Sequence, residues 1–329
     1  MDLSIIIVNY RCWGKLGECL HGLAVFINPG YEFEVIVVDN NSDDGVLETF
    51  SKNYAAPFQF IQNRFNGGFA NGCNNGASRS KGRYLLFLNP DTIATQKAIK
   101  ALLDFAGGKS EKSLLSCRQV NSGGKEKKAY GSFPVLGRLT GPGRSLARIL
   151  YGKKLRPASS GDVIMPDWIS GSVIMMSSNF FGMLGGFDED FWMYYEDMDI
   201  CRRARYTGGE IFYLTNVSII HDHGGSSRIN TKTTALTKTE VKISNHLYIS
   251  KHFSGIKKVL AQTLMVFFNL ITGLLSAAIG IILFFIPKFF IRTLIFSRLI
   301  SYYAGALYRR SWRSPLSVNS YRQKHLNSI

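Results

Sequence analysis

The sequence predicts an α/β fold: a mostly parallel sheet flanked by helices, followed by a C-terminal helical segment that associates with a membrane. Three observations carry this. Short apolar runs (Leu3–Asn9, 34–38 and Tyr84–Leu88) alternate with stretches of helical spacing. Each run stops at asparagine or aspartate. Residues 259–287 contain no charged side chain, and from residue 231 onward 14 Lys and Arg face a single acid, Glu240.

The first two runs enclose residues 13–26, where Leu16, Leu20 and Leu23 recur at helical spacing. This is a βαβ unit with a right-handed crossover. Ligands bind at the carboxyl ends of strands in such sheets. Asn9 and Asp39 end the first two strands and are candidates for holding a nucleobase or ribose. They also fit as ordinary loop-starting residues. A short strand at 58–62 leads to a Gly- and Asn-rich stretch, 66–77, expected to be a loop followed by a helix at 73–81. Its backbone can approach a phosphate or sugar hydroxyl closely, with helix N–H groups as donors. It lacks the Gly-x-Gly-x-x-Gly and Gly-Lys-Ser/Thr patterns of the common nucleotide loops.

The run Tyr84–Leu88 is continuous and apolar, so it reads as a strand buried on both faces. Pro90 ends it, since proline lacks the N–H and restricts the residue before it. Asn89 and Asp91 therefore stand where an oxygen-rich site for a divalent cation and a diphosphate can form, or where an Asx turn suffices. A helix is expected at 93–108. Residues 109–166, rich in Gly, Ser and Lys, read as an irregular insertion over the site.

A strand at 169–176 and a helix at 178–184 precede an aromatic segment, Phe191, Trp192, Tyr194 and Tyr195. A helix follows whose first turn holds Glu196, Asp197 and Asp199. Acids there suit the helix dipole, but three beside an aromatic wall also suit a sugar that stacks on Trp192 or Tyr195 and gives a hydroxyl proton to a carboxylate. Strands at 210–213 and 217–220 end in His221-Asp222-His223. Two histidines at i, i+2 on a strand end make a metal-ligand signal.

Composition bounds the rest. With 329 residues, 46% of them hydrophobic, the chain can bury a large core. Five scattered cysteines favour a reducing compartment over a disulfide framework. The N-terminus reads as a strand rather than a signal peptide. Of the net charge of +16, residues 1–230 contribute little, with 25 basic against 22 acidic side chains. The basic tail flanks lipid-length apolar runs, which points to a membrane and away from nucleic acid. The uncharged stretch exceeds the roughly 20 residues of a spanning helix. Basic residues lie on both sides of it, so the expectation is a hairpin turning at Pro287-Lys288 or helices lying in the interface.

Seven segments, in this order, resemble the family 2 inverting glycosyltransferases, particularly the rhamnosyltransferase-like branch of bacterial surface-polysaccharide synthesis. They are Ile7-Val8-Asn9-Tyr10, Val37-Val38-Asp39-Asn40-Asn41-Ser42, Asn66-x-Gly68-Phe-Ala-x-Gly-x-Asn74-x-Gly76, Phe87-Leu88-Asn89-Pro90-Asp91, Trp168-x-x-Gly171, Gly186-Phe187-Asp188-Glu189 and Tyr195-Glu196-Asp197-x-Asp199. The resemblance implies a GT-A fold over residues 1–230, with 231–329 as the membrane-associating region. It implies a nucleoside-diphosphate sugar donor, with rhamnose the first candidate sugar, and a divalent cation, Mg or Mn. The acceptor is a lipid-linked saccharide or an oligosaccharide, met at the cytoplasmic face of the plasma membrane.

Residue by residue, Asn9, Asp39, Asn66, Gly68, Asn74, Asn89 and Asp91 match donor-binding positions, and Trp168, Trp192 and Tyr195 acceptor positions. Asp197, beside Glu196, matches the general base. Asp91 matches the metal contact, joined by His221 or, as the alternative, His223. Asn89 stands where the commoner pattern has a first aspartate, which leaves Asp91 as the one carboxylate. A non-catalytic, membrane-bound nucleotide-sugar-binding subunit is the other reading, and it would have no need of Glu196 and Asp197.

Overall fold

The computed structural model describes residues 1–26, 30–139, 158–222 and 230–320. It begins with β1 (Leu3–Asn9), α1 (Trp13–Ala24), β2 (Phe33–Asp39), α2 (Val46–Ser51), β3 (Phe58–Gln62), α3 (Gly68–Ala77) and β4 (Tyr84–Leu88). These strands form the parallel half of a sheet, ordered β3-β2-β1-β4. After β5 (Thr92–Ile93) and α4 (Gln96–Gly107) come β6 (Ser113–Val120), β7 (Glu126–Lys127), β8 (Tyr130–Gly131), β9 (Ala158–Ser160), β10 (Val163–Met165), β11 (Trp168–Ile169) and β12 (Val173–Ser177). Then follow α5 (Ser178–Met183), α6 (Glu196–Tyr206), β13 (Glu210–His221) and three long helices, α7 (Thr231–His252), α8 (Gly255–Ile282) and α9 (Pro287–Arg309). The sheet continues from β4 through antiparallel β12 to β6, β13, β10 and β9.

Burial explains the continuous apolar runs. On one face Ile5, Ile7, Val37, Leu86 and Leu88 pack with α1 and α4; on the other Ile6, Val8, Leu85 and Phe87 pack with Ala70, Cys73, Phe187 and Ile200. A strand covered on both sides has no place for polar alternation.

Three local expectations are corrected. The Gly- and Asn-rich stretch is mostly helix, since α3 begins at Gly68. Its glycines serve close packing on β1: a Cβ on Gly72 would lie 2.6 Å from Val8, and one on Gly76 2.5 Å from Ile6. Gly76→Ala sets a helix-propensity gain of about 1 kcal/mol against an overpacking cost of about 1–3 kcal/mol. Net destabilisation is expected, read as a lower urea midpoint with unchanged slope. Second, the supposed insertion at 109–166 contains β6, a strand inside the sheet with Leu114, Leu115 and Cys117 buried. Its apolar run was hidden by Ser113, Ser116 and Gln119, which are buried too. Third, the two strands expected at 210–220 are one, β13, with an irregularity in its pairing between Leu214 and Ser218.

The chain divides into two compact units, one of Met1–Phe133, Arg156–Asp188 and Glu196–Ser226, the other of Pro134–Leu155, Glu189–Tyr195 and Ser227–Ile329, over their described residues. In the second unit α8 and α9 are antiparallel: Gly273 abuts Phe296 while Gly280 abuts Thr293. Small residues at such contacts let helix backbones approach. A polar network binds α7 to this pair. His246, wholly buried on α7, contacts Gln262 Oε1 (2.6 Å) and Tyr303 OH (2.9 Å), and Lys242 donates to Asn269 Oδ1 (2.6 Å). Among the described residues α8 alone is long and apolar enough to cross a membrane, and only 22% of its most apolar window is buried. Asp190, in the segment Glu189–Tyr195, is held by Lys251 and Arg313 (2.9 Å each) and by Asn319 (2.7 Å).

Candidate active site

Parallel pairing sets the carboxyl ends of β1, β2 and β4 at one edge, with Asn9 opposite Asp39. Both are buried, and they bond each other: Asn9 Nδ2 donates to Asp39 Oδ1 at 3.1 Å. Asp39 also accepts from the Ser42 N–H (2.9 Å) and hydroxyl (2.5 Å), which fixes the loop after β2. Asn66 Oδ1 accepts from the Gly68 N–H (3.1 Å) at the start of α3 and from Asn40 Nδ2 (3.0 Å). An amide chain continues through Asn63, which donates to Asn40, and Asn75, which donates to Asn63, each at 2.9 Å. Asn40 and Asn63 were not singled out in the sequence; single asparagines gave no signal until β2, β3 and α3 converged. The Asn74 amide donates to Phe187 O (2.8 Å) and accepts from Phe187 N (2.9 Å), so it fastens α3 to the turn before Asp188.

Beyond β4 the chain turns through Asn89-Pro90-Asp91 into β5, which pairs antiparallel with the end of β13 and sets Thr92 opposite His221. That pairing brings Asp91 Oδ1 to 3.3 Å from His221 Nε2. On its far side the ring meets Gln119 Oε1 at 2.7 Å through Nδ1, and the same Oε1 accepts from Ser172 Oγ at 2.8 Å. With the amide oxygen toward the ring, Nδ1 is the donor and Nε2 presents a lone pair to a carboxylate. A carboxylate and a ring nitrogen that face each other are reconciled by a proton or by a metal cation between them. Their spacing is close to the ~3 Å separating neighbouring ligands at about 2.1 Å around an octahedral ion. The residues therefore fit a divalent cation, as two ligands that leave positions for a diphosphate. Among the described residues no group of three His, Cys, Asp or Glu could hold an ion by itself. His223 lies outside the described residues.

Gln119 is a site residue that sequence reading missed. A glutamine in an unassigned segment carries no signal; the β6–β13 register, with Gln119 opposite Ile219, sets it beside His221. Such partners of a metal-binding imidazole typically matter 10–100-fold. Gln119→Leu is expected to weaken Mn²⁺ binding by about 10–100-fold, measured by electron paramagnetic resonance with the nucleoside diphosphate present.

Asp197 stands at the start of α6. Its Oδ2 accepts from the Gly171 N–H (2.9 Å) and its Oδ1 from the Met198 N–H (2.7 Å). Gly171 packs close by: a Cβ there would sit 3.4 Å from Asp197 Cβ and from Phe69. Burial raises the Asp197 carboxyl above its ordinary value, and the backbone donors oppose that rise. Glu196 is buried with Oε2 lacking a hydrogen-bond partner; burial, then the charge of Asp197, pushes its pKa well above the ordinary range. Asp199 is tied to Arg203 at 2.7 Å, which gives it a structural part in the helix. The residues delivering Glu196, Tyr194 and Tyr195, both have φ of +69°, a left-handed conformation that costs bulky side chains of order 1–3 kcal/mol each.

The segment Ser170-Gly171-Ser172 joins the two halves of the site. Gly171 holds Asp197, while Ser172 holds Gln119, which holds His221 against Asp91. The aromatic expectations fare differently. Trp168 is half-buried over Gly131, with its indole N–H donating to Ser132 O at 3.2 Å. Trp192 is only 7% exposed. Tyr195 is half-buried, with its ring 5.7 Å from that of Tyr248.

Comparison with known proteins places this geometry. The family model described as "Glycosyl transferase family 2" matches residues 4–168. The low-salt glycan biosynthesis hexosyltransferase Agl10 of Haloferax volcanii is 30% identical over 225 residues, 67% of either chain. The rhamnosyltransferase WbbL of Escherichia coli is 26% identical over 230 residues, 66% of this chain and 82% of that one. A shorter match, 35% over 60 residues (18% of this chain and 20% of that one), is to the N-acetylglucosaminyl-diphospho-decaprenol L-rhamnosyltransferase of Mycobacterium tuberculosis. The solved structure of GalNAc-T7 with UDP, GalNAc and Mn²⁺ shares the fold at a TM-score of 0.53 and 15% identity; the alignment covers 82% of this chain and about half, 54%, of that one.

Proposed function

The chain belongs to glycosyl transferase family 2, as a rhamnosyltransferase-like member with a GT-A fold; from that premise we propose that it inverts the donor sugar's anomeric centre in one metal-assisted displacement, using Asp197 as base. It is a sugar-transferring enzyme of glycan synthesis. The finer reading rests on one observation: adjacent residues Gly171 and Ser172 bond to Asp197 and to Gln119, and Gln119 contacts the His221 ring that faces Asp91.

The parts divide as follows. Asp39 and Asn9 shape the loop that receives the nucleoside, and Asn66 and Gly68 set the start of α3 beside it. Asp91 and His221 would hold a divalent cation, Mg or Mn, which would supply positive charge to offset that of a departing nucleoside diphosphate. Asn89, just after β4, is the neutral group assigned to the diphosphate. Gln119 keeps the His221 lone pair on Nε2, toward Asp91. Burial and the charge of Asp197 disfavour the ionised form of Glu196, whereas the Asp197 carboxylate accepts two backbone N–H groups, so Asp197 is the member of the pair assigned the acceptor hydroxyl's proton. The Gly171 and Met198 N–H groups hold its carboxylate in one orientation as it does so. With one carboxylate acting at the sugar, no covalent intermediate forms.

We further propose that residues 1–230 are the catalytic domain and that α8 and α9 seat the enzyme on the cytoplasmic face of the plasma membrane. Leu274, Leu275, Ile281, Ile282, Phe284 and Phe285 are each 59–72% exposed, a continuous apolar surface that water does not favour. A lipid-linked saccharide is the acceptor that suits this location, and the decaprenol-linked substrate in the mycobacterial relative's name supports it. A nucleoside-diphosphate rhamnose is the first donor to test, by Mg²⁺- or Mn²⁺-dependent release of nucleoside diphosphate from a panel of nucleotide sugars. If no donor in the panel turns over, the non-catalytic binding subunit becomes the better reading.

A further inference from the structure

We propose that the helical unit carries a binding site for a single-chain isoprenoid phosphate, with the headgroup between Arg298 and Arg309 and the chain in the groove between α8 and α9. Two adjoining cavities carry it. One, of about 500 Å³, is lined by Glu240, Ser297, Arg298, Ser301 and Arg309. The other, of about 360 Å³, runs between Leu274, Ala278 and Ile281 of α8 and Phe296 and Ile300 of α9. Ser297 and Ser301 line both, so a basic pocket opens into an apolar groove.

Charge selects the headgroup. Arg298 is exposed on α9 between Ser297 and Leu299 and lies close enough to Glu240 to act on its charge; an arginine facing lipid costs about 2.5–3.5 kcal/mol unless it finds an anion or reaches water. Arg298 and Arg309 line the same pocket from one helix, about three turns apart, and guanidinium groups match the oxygens of a phosphate or diphosphate. Glu240 is the sole acid of residues 231–329, is 2% exposed, and has an Oε2 with no hydrogen-bond partner in the pocket wall. Burial raises its pKa to about 7, so near neutrality its protonated form can donate to a phosphate oxygen rather than repel it. The groove selects the tail. Its walls are largely aliphatic and aromatic, and a volume of about 360 Å³ suits a stretch of one chain better than two. The occupant is thus of the lipid class that would carry the acceptor saccharide, and the assignment rests on the membrane reading above.

The test uses the full chain in detergent, with native mass spectrometry or intrinsic fluorescence reading the binding of four probes: a polyprenyl phosphate, the matching polyprenol, phosphatidylglycerol and inorganic phosphate. Polyprenyl phosphate is expected to bind at least tenfold more tightly than each of the others. Arg298→Gln with Arg309→Gln should abolish the preference over polyprenol, and Ala278→Trp should weaken polyprenyl phosphate and polyprenol alike. Equal binding of alcohol and phosphate overturns the proposal, as does equal or tighter binding of phosphatidylglycerol. Indifference to the arginine substitutions overturns it too. Nucleotide-sugar hydrolysis by the same preparations separates the two readings. If hydrolysis is intact in every variant and lipid binding is insensitive to them, this site fails alone. If the unmodified chain binds the lipid selectively but hydrolyses no donor, the transferase mechanism fails alone.

Discussion

Asp197→Asn is expected to lower sugar transfer by about 10²–10⁴-fold, the usual contribution of a general base, while donor binding stays within a few fold. The amide preserves shape, and its oxygen can still accept the Gly171 N–H, so folding should survive. It cannot take a proton from an acceptor hydroxyl. The pH profile gives a second readout. Burial raises the Asp197 carboxyl above its ordinary value of 3.8, so activity should fall as pH drops through that elevated value and protonates the base. The residual rate of Asp197→Asn should lack that acid limb. Full activity in the variant, or an unchanged acid limb, would move the base elsewhere.

Asp91→Ala should be nearly as damaging, with a different signature. Removing the Asp91 carboxylate beside His221 leaves the imidazole as the remaining assigned ligand. A roughly 10²-fold or greater loss is expected, because the cation's Lewis-acid contribution amounts to several kcal/mol. Mn²⁺ affinity in the presence of nucleoside diphosphate should fall with it, and excess metal should rescue part of the rate. Chelation of the unmodified enzyme should abolish activity and re-addition of Mg²⁺ or Mn²⁺ restore it. Unaltered Mn²⁺ affinity in both Asp91→Ala and His221→Ala would remove the cation from this position.

Much of the site could be read from the chain because its residues follow strands whose apolar runs are unbroken. Asp39 and Asp91 stand at the ends of β2 and β4, and Asp197 at the head of a helix, where sequence signals are strongest. What escaped is what depends on pairing between distant segments. Gln119 lies on a strand broken up by buried serines, and only the register of β6 with β13 gives it meaning. The glycines of α3 look like a ligand loop in sequence, yet two of them answer to Val8 and Ile6. The aromatic run 191–195 gave no sign that hydrophobicity would drive Trp192 inward. Helix α7 was invisible because it buries Thr237, Thr239, Glu240, Asn245 and His246 together with apolar neighbours, which erases a one-sided stripe.

The most direct measurement is the anomeric configuration of the product, by nuclear magnetic resonance, when the purified chain transfers sugar from its donor to a synthetic lipid-linked saccharide. A single displacement with Asp197 as base gives an anomeric centre opposite to that of the donor. A product with the donor's own configuration would require two displacements and would contradict the mechanism.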